Sequence, residues 1–167
     1  DDFAVAMWVK STDTAGSAGA QWWSGKGLVD GEVGGGGADW GTAIVNGKFV
    51  LGVGGVPDDT TIASSVNVND GAWHHVAITW SHAAGRMTVY RDGVSVATRT
   101  GSAITAATLS NLWIGDSHPD VGPPGQIAPS ASGAIDEVRI YSYEGSATLV
   151  QRDYLQTRAC AAVSAFR

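Results

Sequence analysis

The two-residue alternation of apolar and polar side chains constrains the fold of this chain more than any other feature. Residues 3–10 (FAVAMWVK) place the odd-numbered apolar side chains on one face of a strand and Trp8 on the other. Two turn dipeptides, Asn46–Gly47 and Asp92–Gly93, interrupt similar runs, and both readily adopt the positive φ angles of tight hairpins. The pattern therefore predicts antiparallel strands joined by hairpins at these two points.

Strand-like stretches continue at 76–80, 112–114 and 134–141, separated by glycine-rich turns. Many short strands with almost no helical periodicity indicate an all-β fold, an antiparallel β-sandwich. We expect the sandwich to occupy residues 1–145.

The C-terminal segment, 146–167, follows a different pattern. Ser146 is a suitable N-cap for a short helix that carries Leu149, Val150 and Leu155. We therefore expect a short helix followed by a tail or linker.

Charge and hydropathy exclude several partners. The net charge is −6 over 167 residues and no run is rich in Lys or Arg, which argues against nucleic acid and anionic membranes as partners. No apolar run is long enough for insertion into a bilayer. The chain opens within a strand-like segment without an initiating Met, so we expect a domain of a longer or processed protein.

The chain has one cysteine, Cys160, which cannot form an internal disulfide. A free thiol and a bridge to a residue outside this chain remain equally open.

Three stretches carry a resemblance to a known family. DGAWHHVAITWSHAAGRMTVYRDGVSVAT (70–98) looks like a central strand pair, and LWIGD (112–116) with GAIDEVRIYSY (133–143) looks like a closing pair. Residues 22–54 are similar to a bacterial version with a long acidic, glycine-rich loop. Together they resemble the LamG-like jelly roll of the concanavalin A-like lectin/glucanase superfamily. The resemblance implies a jelly-roll sandwich in an extracellular or cell-surface protein.

The chain departs from the family pattern in two places. The strand that normally precedes the 1–10 segment is missing, and SYEGSATLVQ (142–151) replaces the usual turn into a helix. The missing strand usually pairs near the closing one, so the resemblance implies an open sheet edge. Such an edge is a place for strand pairing with another segment or subunit.

Catalysis is not expected. Glucanases that share the sandwich use two glutamates on one strand that face a single substrate. The chain has three glutamates, Glu32, Glu137 and Glu144, and none is spaced to face the cleft with another. We therefore predict a non-catalytic protein.

Calcium is a possible cofactor. Two long segments, 24–42 and 115–133, contain glycine, proline and acidic residues, and hard cations bind carboxylate and carbonyl oxygens. The second segment resembles the region where related pentraxins hold calcium, although the same residues are also ordinary turn formers. The candidate ligands are Asp30, Glu32 and Asp39 in the first segment and Asp116 and Asp120 in the second.

Asp136 is a further metal candidate. It shares strand parity with Val138 and Ile140, so its carboxylate points inward if that face is buried. A buried carboxylate needs backbone donors, a basic partner or a cation. A hydrogen-bonded structural aspartate and a calcium ligand both satisfy this requirement.

Ligand contacts are expected from aromatic side chains, because sugar rings stack on exposed tryptophan. The candidates are Trp40, Trp113 and His118, against the alternative that these tryptophans are packed in the fold. Trp80 shares the parity of the apolar set and is expected in the core.

The two adjacent histidines point to opposite faces of a strand, so they cannot bind one ion together. His75 is out of phase with the apolar residues that follow it, and His74 is in phase with them. We predict an architectural role for both.

The sequence thus indicates an extracellular recognition module that binds a glycan or a cell-surface protein, with calcium as a possible aid and adhesion or targeting as its role. The alternative is a structural domain of a surface filament, pilus or large adhesin that assembles through its open edge.

Overall fold

The chain folds into two antiparallel five-stranded sheets that face each other. The computed structural model describes residues 2–16, 19–31, 39–54, 60–100, 112–116 and 131–163, with side chains through 158. The strands are β1 (Phe3–Ser11), β2 (Lys26–Asp30), β3 (Trp40–Val45), β4 (Lys48–Val53), β5 (Thr60–Asn67), β6 (Trp73–Ser81), β7 (Arg86–Arg91), β8 (Val94–Thr100), β9 (Trp113–Ile114) and β10 (Gly133–Tyr141). Sheet A has the order β10-β1-β6-β7-β8, and sheet B has the order β5-β4-β3-β2-β9. The predicted antiparallel sandwich is confirmed.

Both predicted hairpins form. Asn46 and Gly47 have φ angles of 49° and 75°, and Asp92 and Gly93 have 52° and 78°. Positive φ at both central residues is the geometry of a two-residue turn whose twist matches that of the strands it joins. These turns fix the register of β3 with β4 and of β7 with β8.

The main core lies between the inner faces of the two sheets. Alternate residues of β1 and β6 supply it from sheet A, among them Val5, Val76 and Trp80. Ile44 and Leu51 are among its members from sheet B, and all five side chains are fully buried. The prediction that Trp80 is a core residue is confirmed.

The outer face of sheet A is covered by one helix, α1 (Ala147–Val163). Ser146 caps it as predicted, because its Oγ accepts a hydrogen bond from the Leu149 N–H at 3.1 Å. Trp8 lies beneath the helix and donates its indole N–H to the Thr157 hydroxyl at 2.7 Å. The placement of Trp8 opposite the core face is therefore confirmed.

A buried carboxylate fastens α1 to the sheet. Asp153 accepts hydrogen bonds from the Tyr141 hydroxyl at 2.6 Å and from Arg139 at 3.2 Å. Leu155, the third apolar residue expected in this helix, is exposed. The helix is thus held by polar contacts as well as by Leu149 and Val150, which are buried.

The two histidines have the architectural positions expected of them. His74 lies between two carboxylates, with ring nitrogens 3.0 Å from Asp92 and 3.0 Å from Asp70. His75 is buried on the opposite face, against Trp8 and Tyr154. Asp92 also accepts the backbone N–H of His75 at 3.0 Å, so the β7–β8 turn is tied to β6.

Within the described residues, no helix is sufficiently long and apolar to cross a membrane.

Candidate ligand-binding site

A row of paired residues crosses the outer face of sheet B. Trp113 in β9 is opposite Asp30 in β2, and Asp30 is opposite Gly41 in β3. Gly41 is opposite Gly52 in β4, and Gly52 is opposite Thr61 in β5. Directly opposed residues project from the same face of a sheet, so these five positions form one line across it.

The two glycines of this row form a floor for the Trp22 indole. A Cβ atom would lie 2.1 Å from the ring at Gly41 and 1.6 Å from it at Gly52. Trp22 belongs to a short 3-10 helix, Trp22–Ser24, and its backbone N–H donates to Thr61 Oγ1 at 3.2 Å. The indole therefore occupies the middle of the face, and only glycine allows it to approach so closely.

Two buried carboxylates border this floor. Asp30 is 1 % exposed and Asp39 is 2 % exposed. The Asp30 Oδ1 lies 3.0 Å from a Cβ built at Gly41, and the Asp39 Oδ1 lies 1.9 Å from one built at Gly54. Asp30 thus lies over Gly41 of β3 and Asp39 lies over Gly54, which directly follows β4. Both carboxylates are withdrawn from water.

Trp113 is the exposed aromatic residue of the row. Its side chain is 38 % exposed, although it is paired directly with the buried Asp30. An exposed indole on this face is an apolar platform on which a sugar ring can stack.

Asp116 does not join Asp30. Because β9 runs antiparallel to β2, the chain moves away from Asp30 after Trp113, and the Gly115 N–H donates to the Leu28 carbonyl at 2.8 Å. The structure therefore brings Trp113 to Asp30 but directs Asp116 toward the other end of β2.

Trp40 is not the loop residue that the sequence suggested. It is the first residue of β3, it is 6 % exposed, and its ring lies 4.6 Å from that of Phe3 in the core. Its parity with the core residue Ile44 explains the burial. Trp40 thus offers no open ring face to a sugar.

Asp136 is also placed differently from the sequence interpretation. A β-bulge sets Glu137 and Val138 opposite Met7, and Glu137 has a φ of 52°. The extra residue reverses the parity, so Asp136 is exposed on the outer side of β10, opposite Trp8. It is therefore not the buried carboxylate that the sequence suggested.

Three further predicted site residues, Glu32, His118 and Asp120, lie outside the described residues. Within the described ranges, no three His, Cys, Asp or Glu side chains are grouped closely enough to hold a metal. Asp30 and Asp39 have the oxygen chemistry that calcium prefers, but they would supply only two of its about six to eight ligands.

A cavity of about 230 Å³ lies where β9 of sheet B meets β1 and β10 of sheet A. Ser11, Ile114 and Ile135 are among its lining residues. The Ser11 hydroxyl donates to the Ser132 carbonyl at 2.7 Å and so holds the chain entering β10. Gly133 allows this contact, because a Cβ there would lie 1.9 Å from the Lys10 carbonyl oxygen.

The sequence interpretation missed the glycine floor and the position of Trp22. One signal was present: Gly41 and Gly52 interrupt strand-forming runs, and such glycines often mark a close approach of another group. The pattern does not reveal which group approaches, because Trp22 is distant in sequence from Gly52.

Known proteins share this architecture. The chain resembles the CBM40 domain of the Ruminococcus gnavus IT-sialidase, solved with α2,3 sialyllactose, with a TM-score of 0.70 at 15% identity over 91% of this chain and 82% of that one. It also resembles the heptameric SAP-like pentraxin of Limulus polyphemus, with a TM-score of 0.63 at 18% identity over 90% and 68% of the two chains.

Curated relatives match about half of the chain by sequence. The rat (Rattus norvegicus) sushi, von Willebrand factor type A, EGF and pentraxin domain-containing protein 1 is 33% identical over 84 residues. This match spans 49% of the present chain and 2% of that much longer protein. A laminin G-type family model, described as the concanavalin A-like lectin/glucanases superfamily, matches residues 1–151. The chain therefore belongs to this laminin G-like family of the concanavalin A-like superfamily.

Proposed function

We propose that this chain is a non-catalytic, extracellular glycan-recognition module that binds its ligand on the outer face of sheet B. The observation that carries the proposal is the exposure of Trp113, at 38 %, on the outer face of sheet B. The indole offers an apolar stacking surface for the C–H face of a sugar ring. Adhesion or targeting is the role that such a module would serve.

The similar structures support the class of ligand. The CBM40 domain was solved with two isomers of sialyllactose, and a botulinum neurotoxin type C structure of the same fold concerns interaction with ganglioside molecules. Sequence identity to these proteins is 15% or lower, so the fold is shared and the particular sugar is not transferred.

The ion pairs of the two described glutamates support a non-catalytic role. Glu137 lies 3.1 Å from Arg139, and Glu144 lies 2.6 Å from Arg86. Glycoside cleavage needs two carboxyl groups that face one substrate, about 5–9.5 Å apart. Each of these carboxylates instead faces an arginine on sheet A.

Calcium belongs to the proposal as an aid to binding. Asp30 and Asp39 would hold the ion, and Glu32, which lies between them in sequence, is the third acidic ligand that we expect. Carboxylate oxygens are the ligands that calcium prefers.

The first prediction concerns Trp113. We expect Trp113→Ala to weaken glycan binding at least about tenfold, which corresponds to about 1.4 kcal/mol of lost stacking. The measurement is a glycan array with the unaltered chain, followed by titration calorimetry of both proteins with the best-bound sugar. The matched control is Tyr143→Ala, because Tyr143 is an exposed aromatic residue (50 % exposed) that follows β10 of sheet A.

The same titration, repeated with calcium and with EDTA, tests the ion. Weaker glycan binding in EDTA supports a role for calcium. Unchanged binding contradicts the role of calcium but not glycan recognition itself. Silence across the array in both conditions, or equal loss in Trp113→Ala and Tyr143→Ala, would contradict the site.

A second candidate function, assembly through an open sheet edge, is favoured by β10. Within the described part of the chain, β10 pairs with β1 on one side only, and its Ile140 is 46 % exposed. The same strand carries the Glu137 bulge and charged side chains, which are features that limit unwanted edge pairing. We therefore rank a structural domain of a surface filament, pilus or large adhesin second.

The second prediction tests this edge by sedimentation velocity over a wide concentration range. Under the glycan-recognition proposal the chain remains a monomer throughout. Concentration-dependent oligomers that disappear in Ile140→Lys, but persist in the exposed β8 control Val94→Lys, would favour assembly instead.

A further inference from the structure

A polar cavity of about 260 Å³ lies on the outer face of sheet A, beside the start of α1. Its floor is formed by Thr79 of β6 and by Thr88 and Tyr90 of β7. Thr79 and Thr88 are directly opposed across these strands, so both side chains project from the same point of the sheet. Residues 144–147, which lead into α1, form one wall.

The floor residues are buried, yet their hydroxyls are unpaired. Thr79, Thr88 and Tyr90 are 2 %, 7 % and 6 % exposed. Within the described residues, none of these three hydroxyls makes a hydrogen bond. Each of the three hydroxyl oxygens also keeps some exposure to solvent. The hydroxyls therefore meet water only through the cavity. Buried hydroxyls that converge without partners are suited to a ligand that replaces this water.

The rim of the cavity is electrically balanced. Arg86 and Glu144 form an ion pair at 2.6 Å, and they are its charged lining residues. A bare anion would face the Glu144 carboxylate and a bare cation would face the Arg86 guanidinium. A neutral polyol can instead accept a hydrogen bond from Arg86 and donate one to Glu144. Each threonine or tyrosine hydroxyl can both donate to it and accept from it.

The size of the cavity limits the ligand. Sites for drug-sized molecules measure about 300–1,000 Å³, so a cavity slightly below this range suits one small ring rather than a chain of sugars. Gly145 closes the wall against the sheet, because a Cβ there would lie 3.0 Å from Ala4 and 3.4 Å from Thr79.

We infer that this cavity is a second binding site, for a single neutral sugar ring or a polyol of similar size. It is independent of the Trp113 site, because the two lie on the outer faces of opposite sheets. The protein thus has two recognition surfaces on its two sides.

The experiment uses the full chain with methyl-labelled threonine and titrations of free glucose, galactose and N-acetylglucosamine, followed by NMR. We expect saturable shifts of the Thr79 and Thr88 methyl signals with at least one sugar. Thr88→Val and Tyr90→Phe should each weaken binding about fivefold, as expected for one lost hydrogen bond. Binding to Thr88→Val is measured from the Thr79 methyl signal, and binding to Tyr90→Phe from the methyl signals of both threonines.

The matched control is Thr98→Val in β8, which removes an exposed threonine hydroxyl opposite Thr88 but outside the cavity lining and should leave affinity unchanged. Trp113→Ala should also leave these methyl shifts unchanged, which separates this site from the glycan site. The absence of saturable shifts with all three sugars would overturn the inference. So would saturable shifts with sodium sulfate alone, which would identify an anion site, or equal affinity in Thr88→Val, Tyr90→Phe and Thr98→Val.

Discussion

Gly52→Ala is expected to destabilise the fold by about 3 kcal/mol, although it adds a single methyl group. The new Cβ would lie 1.6 Å from the Trp22 ring, so the indole must leave its floor or the strand must shift. Trp22 is almost fully buried and packs with Ala43, Val45 and Val50, so moving it exposes the centre of the outer face of sheet B. Urea unfolding of the two proteins measures the difference.

The partner variant Trp22→Ala shows whether this collision is the cause. Trp22→Ala alone should cost about 3–5 kcal/mol, as for other buried tryptophans. In that background Gly52→Ala should cost less than about 1 kcal/mol, because the collision is gone. A cost of Gly52→Ala that is the same with and without Trp22 would show that another contact of β4 is responsible.

Acidification from pH 6.5 to pH 4 is expected to remove up to about 3 kcal/mol of stability through His75. Burial lowers the pKa of His75 from 6.5 to about 4, because the charged ring is poorly solvated beneath α1. Asp153 in the helix and Asp92 in the β7–β8 turn act in the opposite direction, whereas Arg139 in β10 adds to the lowering. The unfolded chain therefore binds a proton at higher pH than the folded chain does. The stabilisation is complete above about pH 6.5 and is lost as the pH falls toward 4.

The measurement is the free energy of unfolding at several pH values for the unaltered chain and for His75→Phe and His75→Gln. In both variants, the free energy of unfolding should fall less between pH 6.5 and pH 4, because the contribution of His75 is absent. His75→Phe should be as stable as the unaltered chain at pH 7, because the Nδ1 of His75 has no hydrogen-bond partner to lose. The control His82→Gln, in the β6–β7 turn, should retain the full loss. An identical pH profile in all four proteins would show that His75 is accessible to protons in the folded state.

Local sequence rules predicted much of the framework. A tight two-residue turn requires positive φ angles at both central residues, and few pairs other than Asn-Gly and Asp-Gly accept them. Both hairpins could therefore be predicted from the sequence. The two-residue period placed Trp8, Trp80 and both histidines on the correct faces, because their strands are regular over those stretches. Ser146 was recognisable as a cap because its hydroxyl satisfies a backbone group of the first turn.

The candidate site was less predictable, because it depends on irregularities and on distant contacts. The positive φ of Glu137 has no signal in the sequence, and this one residue turned Asp136 outward. Trp40 was assigned to a loop because an acidic, glycine-rich stretch precedes it, whereas its side chain is stabilised by Phe3, far away in sequence. The pairing of Trp113 with Asp30 requires β9 to lie beside β2. The order of strands in a sheet depends on contacts throughout the sandwich, so local sequence patterns do not predict it.

The most direct test of the proposed function is the position of a bound glycan. The measurement is a set of intermolecular NOEs between the unaltered chain and the sugar that binds best on the array. The account predicts contacts from the sugar ring protons to the Trp113 indole, with Tyr143 silent. Contacts confined to other surfaces of the sandwich, with none to Trp113, would contradict it.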